Sequence, residues 1–395
     1  TVSDSSITTA KLGADSVTTA KINDGAVTSG KIASGVIPST RPNATPLVYN
    51  GDCAIAQRGT SQTGVSSGAN YPVDRFQLYP TNLGAYTITQ EALTSGEAYN
   101  NGFRTALRID TTTADASPSS TDYLILAQKF EGQDLQVLKK GTSNAEKLTL
   151  SFWVKSNKTT TGQVNLFEYQ NNRLVSGTYA VSVANTWEKK IINFPADTTG
   201  AFTNSNVVSL GIEWFLDSGS NFSSGTAPTA WEAQSNADRN ANNFALASST
   251  DNDFAITGVQ LEVGEYTSST LPPFQHESFS NNLDRCQRYY TTCGNVGTTQ
   301  SGFPARAYSG SALMWVVTLP KPLRASPTVT LTGTIRAFGS SNTHDSTSAL
   351  TVTSYANTNS NMVMLQSTGF SGLSNDRSYN VMAINDTFYT LNAEL

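Results

Sequence analysis

The chain has 395 residues, 14% of them charged, and a net charge of −5, so it carries no basic footprint for nucleic acid and no polybasic patch for a membrane surface. No apolar run approaches the roughly 20 residues of a membrane span. No signal peptide is visible, and a chain that begins at Thr1 lacks at least its initiating methionine. The polar bulk is Ser, Thr, Asn and Gly, the composition of an extracellular or virion β-protein, and the length leaves room for two or three domains.

The first segment, TVSDSSITTAKLGADSVTTAKINDGAVTSGKIASGVIPSTRP, repeats TTAK and then TSGK at ten-residue steps. Within it Ile7, Leu12, Val17, Ile22, Val27, Ile32 and Ile37 put an aliphatic residue at every fifth position. Five residues turn an α-helix by roughly 500°, so these anchors form no helical stripe. Five is also odd, so in a strand alternate anchors point to opposite faces. The remaining reading is a coil that bends every five residues, helped by Gly13, Gly25, Gly30 and Gly35. It cannot bury its anchors alone, which favours a stalk of several chains wound about a shared axis. A single-chain pentapeptide solenoid and a disordered linker are the alternatives.

From about Leu47 short period-two runs bounded by turn residues take over. Phe103, Leu107 and Ile109 share one parity, as do Leu148, Leu150, Phe152 and Val154; Val164 pairs with Leu166, Tyr179 with Val181 and Val183, and Ile192 with Phe194. In VVSLGIEWFL, Val208, Leu210, Ile212, Trp214 and Leu216 all face one way. In DFAITGVQLEV the apolar parity switches across Gly258, which predicts a β-bulge at Thr257 or Gly258. Between Asp217 and Asp251 runs a long polar stretch with Trp231 in its middle, and loops this long usually bind or pack something.

Pro272 and Pro273 end the sandwich, and Phe279, Leu283, Cys286 and Tyr290 follow at the spacing of one helix face. Period two returns with Leu313, Trp315, Val317 and Leu319, then Val329 and Leu331, and finally Tyr389, Leu391, Ala393 and Leu395. The chain thus reads as mainly β: an antiparallel jelly-roll sandwich and a smaller C-terminal β-sandwich, preceded by the N-terminal repeat stalk. Cys53, Cys286 and Cys293 are odd in number and scattered, which argues against a disulfide framework or a zinc site; His276 and His344 nominate no triad or metal cluster.

The stretches YNGDCAIAQRGTS, YPVDRF, FAITGVQLEVGEY, LDRCQRYY and LPKPLRASPTVT, together with the TTAKI-like repeats, resemble tail fibre and receptor-binding virion proteins of tailed bacteriophages. The resemblance implies a homotrimer in the virion, a carbohydrate-binding-module-like jelly roll and a distal tip. It divides the chain into a stalk or attachment segment at 1–46, a jelly-roll domain at 47–273, a short helical linker at 274–292 and a distal β-domain at 293–395. Similar jelly rolls read NGDFE where this chain has Cys53 and Ala54, so the carboxylate that helps hold a structural calcium is missing; Asp52 and Glu262 remain as oxygen donors. No cofactor and no metal is expected.

Cleavage of a glycan needs two carboxylates about 5–9.5 Å apart across a cleft, and no segment singles out such a pair. Glycan-cleaving tailspikes also tend to be long parallel β-helices, whose coil repeat is absent here. The expectation is therefore a tail fibre protein, not an enzyme, that joins other tail proteins through its N-terminal segment. It binds a host surface glycan or lipopolysaccharide without contacting nucleic acid or inserting into a membrane. The alternatives are a structural tail-adaptor piece and a glycan-degrading tailspike. Sugars are held by an aromatic face and by Asn, Asp, Gln and Arg hydrogen bonds on exposed loops. Trp231, Asn236, Asp238, Arg239 and Asn242 are the expected binding residues, although Trp231 equally suits a plug of the loop onto the sandwich or a neighbouring subunit. Tyr308, His344, Asp345, Tyr355 and Arg377 are further polar and aromatic groups in loop-like surroundings.

Overall fold

Alternation of apolar and polar residues after Leu47 becomes a run of antiparallel strands: β1 (Ser61–Val65), β2 (Gln77–Thr81), β3 (Ala85–Ala92), β4 (Thr105–Thr113), β5 (Tyr123–Glu131), β6 (Leu148–Lys155), β7 (Thr160–Glu168), β8 (Arg173–Val181), β9 (Glu188–Phe194), β10 (Val208–Ser218), β11 (Glu232–Ala233) and β12 (Asp253–Val263). The computed structural model describes residues 45–294, 302–339, 343–346, 350–355 and 360–395, so the N-terminal five-residue repeat lies outside the described residues. Two six-stranded sheets result, ordered β1-β3-β4-β12-β6-β9 and β11-β8-β7-β10-β5-β2. The chain passes from one sheet to the other at most connections, which is the winding of a jelly roll.

The inward residues of both sheets meet in one core that holds Leu107, Ile109, Leu150, Phe152, Val164, Leu166, Leu210, Ile212, Trp214 and Leu216. Phe152 sits at its centre, edge-on to Tyr179 at 5.3 Å and to Trp214 at 5.5 Å, the favoured geometry for aromatic quadrupoles. Val183, expected beside Val181, lies beyond the end of β8 and is exposed.

The predicted bulge is present. Thr257 pairs with Trp153 and Gln260 with Ser151, so β12 carries one residue more than β6 over this step. Gly258 takes it up at φ +60°, and a Cβ there would lie 2.6 Å from the Phe103 ring and 2.9 Å from Trp153. Gly258→Ala is expected to cost about 1–3 kcal/mol of stability in urea denaturation, from backbone strain together with the displaced rings.

The second β-region departs from the expected sandwich. Strands β13 (Tyr290–Gly294), β14 (Gly302–Ser309), β15 (Ala312–Thr318), β16 (Thr328–Phe338), β17 (Thr343–Ser346), β18 (Leu350–Tyr355), β19 (Met362–Ser367) and β20 (Ser378–Asn392) form one eight-stranded sheet. Its order is β17-β16-β20-β14-β15-β19-β18, with β13 also on β20. The long strands β16 and β20 let the sheet curl until β18 reaches β16. One sheet thereby encloses its own core of Leu313, Trp315, Val317, Ile335, Val363, Leu365 and Leu391 without a second layer.

The helix between the two regions spans Phe279–Gln287 and is capped by Ser278, whose side chain accepts from Asn281 N. Its buried side is the predicted one only in part: Cys286 and Tyr290 are buried, but Phe279 is 64% exposed and Asn282 is buried in its place. Asn282 explains the difference, since its amide donates to Asn50 and Asp52 at 3.3 and 3.2 Å and holds that face against the start of the sandwich.

Residues 46–271 and 276–395 form one compact unit, joined by a buried ionic cluster. Arg75 is 2% exposed, lies 3.5 Å over the Tyr289 ring, pairs with Glu394 and donates to Lys129 O. Arg58 lies 3.5 Å over Tyr290 and bridges Glu394 and Asp74. Arg288 grips Glu131 through two hydrogen bonds of 2.8 and 2.7 Å, and Tyr289 Oη donates to the same carboxylate. Arg324 donates to Asn206 O on the sandwich side and to Ala393 O and Glu394 O on β20's end.

Burial raises the Asp74 carboxyl from 3.8 to about 6, against the lowering effect of the Gln57 hydrogen bonds and Arg58, while Glu394 adds to the rise. A carboxyl with a higher pKa folded than unfolded favours the folded state most below its unfolded value. That contribution is lost as pH rises through about 6. Asp74 is expected to titrate near pH 6 by NMR. Wild type should lose more stability than Asp74→Asn between pH 4 and pH 7 in parallel denaturant melts.

Candidate functional site

The outer face of the second sheet is where side chains of unlike chemistry converge. Across β5, β10 and β7 the outward residues pair as Lys129–Gly211–Phe167, Ala127–Glu213–Asn165 and Ile125–Phe215–Gln163. β2 adds Gln77 beside Ala127 and Tyr79 beside Ile125. A sheet face with this many polar groups cannot be left dry without partners.

Half of the face is covered by the long segment after β10. Gln163 Nε2 donates to Asp238 O at 2.8 Å, Asn165 Nδ2 donates to Arg239 O at 2.8 Å, and Asn242 N donates to Gln163 Oε1 at 3.3 Å. Asn240, fully buried, holds the turn through Ser218 Oγ at 2.8 Å and Asn243 Oδ1 at 3.0 Å. Phe244, Leu246 and Ala247 enter the sandwich core, so the segment is docked structure and not a free polar loop.

The other half stays open as a groove of about 230 Å³. Its apolar wall is Tyr79, 36% exposed, stacked on Tyr123 with ring centroids 6.1 Å apart and an interplanar angle of 12°. Phe222 and Phe215 support Tyr123 from behind at 5.1 and 6.4 Å. The floor is polar. Glu213 accepts from Tyr169 Oη and from Arg239 Nη2, both at 2.8 Å, and Arg239 lies between Phe167 and Phe215 at 5.0 and 4.9 Å from their centroids. Tyr169 can lie over the floor because position 211 is glycine, where a Cβ would come within 3.0 Å of its ring. Burial, then the charge of Glu213, pushes the Tyr169 hydroxyl well above its ordinary pKa, so it stays a donor. Burial pulls the Lys129 ammonium below its ordinary pKa, with Glu213 opposing.

The five expected binding residues do not meet in one place. Arg239 lines the groove. Asn242 and Asp238 act beneath the covering segment, Asp238 Oδ1 also accepting from Thr226 N at 2.8 Å. Asn236 accepts from Gln234 at the exposed edge. Trp231 is half-buried on the far side, where Nε1 donates to Pro195 O at 2.9 Å and its ring lies 5.5 Å from Lys140. The cavity beside it measures about 10 Å³, too small for a sugar ring. Trp231 therefore plugs its loop onto the sandwich.

The C-terminal candidates are also spread out. Tyr308 on β14 is separated from His344 and Asp345 on β17 by β16 and β20. Asp345 is held by Arg336, and His344 Nδ1 lies 2.6 Å from Ser371 O. The Tyr355 side chain lies outside the described residues. A larger concavity of about 660 Å³ lies on the outer face of this sheet, lined by Pro304, Tyr308, Met314, Val316 and Met364. Its one charged residue, Arg306, is already paired with Asp376. Asp52 and Glu262 bond to Asn282 and Gln260 respectively, and among the described residues no three metal-ligating side chains cluster.

Sequence reading passed over Tyr79, Tyr123, Lys129, Tyr169 and Glu213. A signal existed in TDYLILAQKF, where the inward Leu124, Leu126 and Phe130 alternate with outward Tyr123, Ile125, Ala127 and Lys129.

No family of known sequences matches the chain, and no curated protein does. Among solved structures it is similar to the enzymatically active domain of tailspike protein 4 from bacteriophage CBA120, at 13% identity over 55% of this chain and 21% of that one, with a TM-score of 0.29. It is similar to CBM4, at 11% identity over 54% and 97% with a TM-score of 0.28. A third similarity is to a family 11 carbohydrate-binding module from Clostridium thermocellum in complex with a β-1,3-1,4-mixed-linked tetrasaccharide, at 9% identity over 53% and 99% with a TM-score of 0.25. Likenesses at this level assign no ligand to this chain.

Arg239→Ala removes the link between the covering segment, Glu213 and the two phenylalanines. Amide exchange in residues 234–245 is expected to rise about tenfold or more, for a local loss of about 1–2 kcal/mol, while exchange in β6 and β12 stays unchanged.

Proposed function

We propose that this chain binds a glycan, non-covalently and without cleaving it, in the groove between Tyr79 and Arg239, and that it does so as a bacteriophage tail fibre protein on the virion. The observation that carries the binding reading is the stacked Tyr79–Tyr123 wall facing a floor of Gln77, Lys129 and Arg239. Such a pairing packs the apolar face of a sugar ring on aromatic carbon and leaves directed polar groups for its hydroxyls. The non-catalytic reading is supported by the same lining. Glu213 is the single carboxylate among the groove residues, and both its oxygens are engaged, whereas hydrolysis needs two carboxylates.

The virion reading is supported by the five-residue repeat and by the motifs that resemble those of tail fibre proteins. On this reading residues 1–46 join copies into a homotrimer and attach it to other tail proteins. Three identical sites raise the avidity of a weak groove by about 10²–10⁴.

The test is binding to host surface polysaccharide or lipopolysaccharide. Tyr79→Ala is expected to weaken it about tenfold, or roughly 1–2 kcal/mol, with an unchanged melting temperature. Purified wild-type chain should also block phage adsorption to host cells, and the variant should block it less. Undiminished binding by Tyr79→Ala would remove the groove from the reading.

A further inference from the structure

Lys129 is the group in the groove that the fold leaves unanswered. It projects from β5 onto the floor, half-buried, with Nζ 5.6 Å from the Tyr169 ring. Among the described residues its ammonium has no hydrogen bond and no ion pair. The nearest available carboxylate, Glu213, is used up: Oε1 by the Tyr169 hydroxyl and Oε2 by Arg239. Elsewhere in the chain buried and half-buried cations are met by carboxylates, or by backbone carbonyls as at Lys158 and Arg324. Lys140 has Asp197 at 3.0 Å, Lys155 has Glu91 at 3.3 Å and Arg173 has Asp197 at 2.8 Å. Arg239 adds a second shortfall on the same floor, because its buried Nε has no acceptor.

The charges of the groove do not cancel either. Lys129 and Arg239 stand against Glu213 alone, in a protein whose net charge is −5. A half-dehydrated ammonium without a counter-ion is costly, and burial depresses its pKa accordingly. The Tyr79–Tyr123 wall lies farther along the same groove, Tyr79 being opposite Ile125 on β5, and so sets an apolar ring face at a fixed spacing from this positive point.

We infer that the groove takes an acidic saccharide, with a sugar ring on the tyrosine wall and an anionic substituent of the glycan seated on Lys129. The inference rests on the glycan-binding reading and narrows it. The shared chemistry is a fixed negative charge on the sugar: a uronate carboxylate, a sulfate ester or a phosphate ester. The ammonium is a compact point charge, which suits any of these three.

The experiment is calorimetric titration of the full chain with matched oligosaccharide pairs. Uronate oligosaccharides are paired with their carboxyl-reduced counterparts, and sulfated and phosphorylated oligosaccharides with the unmodified sugars. The acidic member of at least one pair is expected to bind about tenfold tighter or more, the size of one hydrogen bond to a charged group. Lys129→Met should erase that difference while leaving the melting temperature unchanged, and Lys129→Arg should keep part of it. The uronate, sulfate and phosphate arms tell the three sources apart. Equal binding of acidic and neutral members, unaffected by Lys129→Met, would overturn the inference and leave the glycan reading standing. Binding by no member of the panel would overturn both.

Discussion

The Arg75 guanidinium, buried between Tyr289 and the Lys129 carbonyl and paired with Glu394, is the contact on which the arrangement of the unit depends. It comes from the sandwich, its counter-charge from the last turn of chain after β20, and its aromatic platform from the end of the linking helix. Removing a cation from water is costly, and only the full set of partners offsets it. The sandwich, helix and curled sheet must therefore all be in place before any one of them is fully satisfied. The carbonyl that Arg75 holds is that of Lys129 in β5, so the cluster that joins the two regions also fixes the rear of the groove.

The outward face of the second sheet shows how one strand pattern serves two ends. Gln163, Asn165 and Ser176 form a polar ladder that a long segment can dock on through its own backbone, while Tyr79, Tyr123 and Lys129 are left in the open. Arg239 lies at the boundary, stacked on two phenylalanines and bonded to Glu213. The covering segment thus shapes the groove while contributing one of its walls. A weak, shallow site of this kind suits a protein that gains strength by repetition more than by enclosure.

Several motifs that stood out in the chain proved to be parts of the joint between the two regions. YNGDCAIAQRGTS supplies Tyr49, Asn50 and Arg58, YPVDRF supplies Asp74 and Arg75, and LDRCQRYY supplies Arg288, Tyr289 and Tyr290. LPKPLRASPTVT adds Arg324, which ties Asn206 to the end of β20. Their unusual mix of Arg, Asp and Tyr was legible as a signature, but its meaning was not. Charge pairs between residues hundreds of positions apart leave no periodicity in the chain.

The strands of the sandwich, the inward parity of Leu150, Phe152, Trp214 and Leu216, and the bulge at Gly258 could all be read from residue order, because side chains alternate across a pleated sheet and a glycine at a parity switch has few other uses. The single curled sheet of the C-terminal region could not, since period two says that a face is buried and not what buries it. The helix face was read only in part for the same reason: Cys286 and Tyr290 are buried as read, but Asn282 found Asn50 and Asp52 across the fold while Phe279 stayed exposed. The site was decided at the same level. Trp231 was the conspicuous residue in the chain, yet packing made it a plug, and strand pairing brought Tyr79, Tyr123, Lys129 and Glu213 together from three separate strands. Local patterns are set by neighbours along the backbone, whereas a binding surface is set by which strands lie side by side and which side chains their charges leave without a partner.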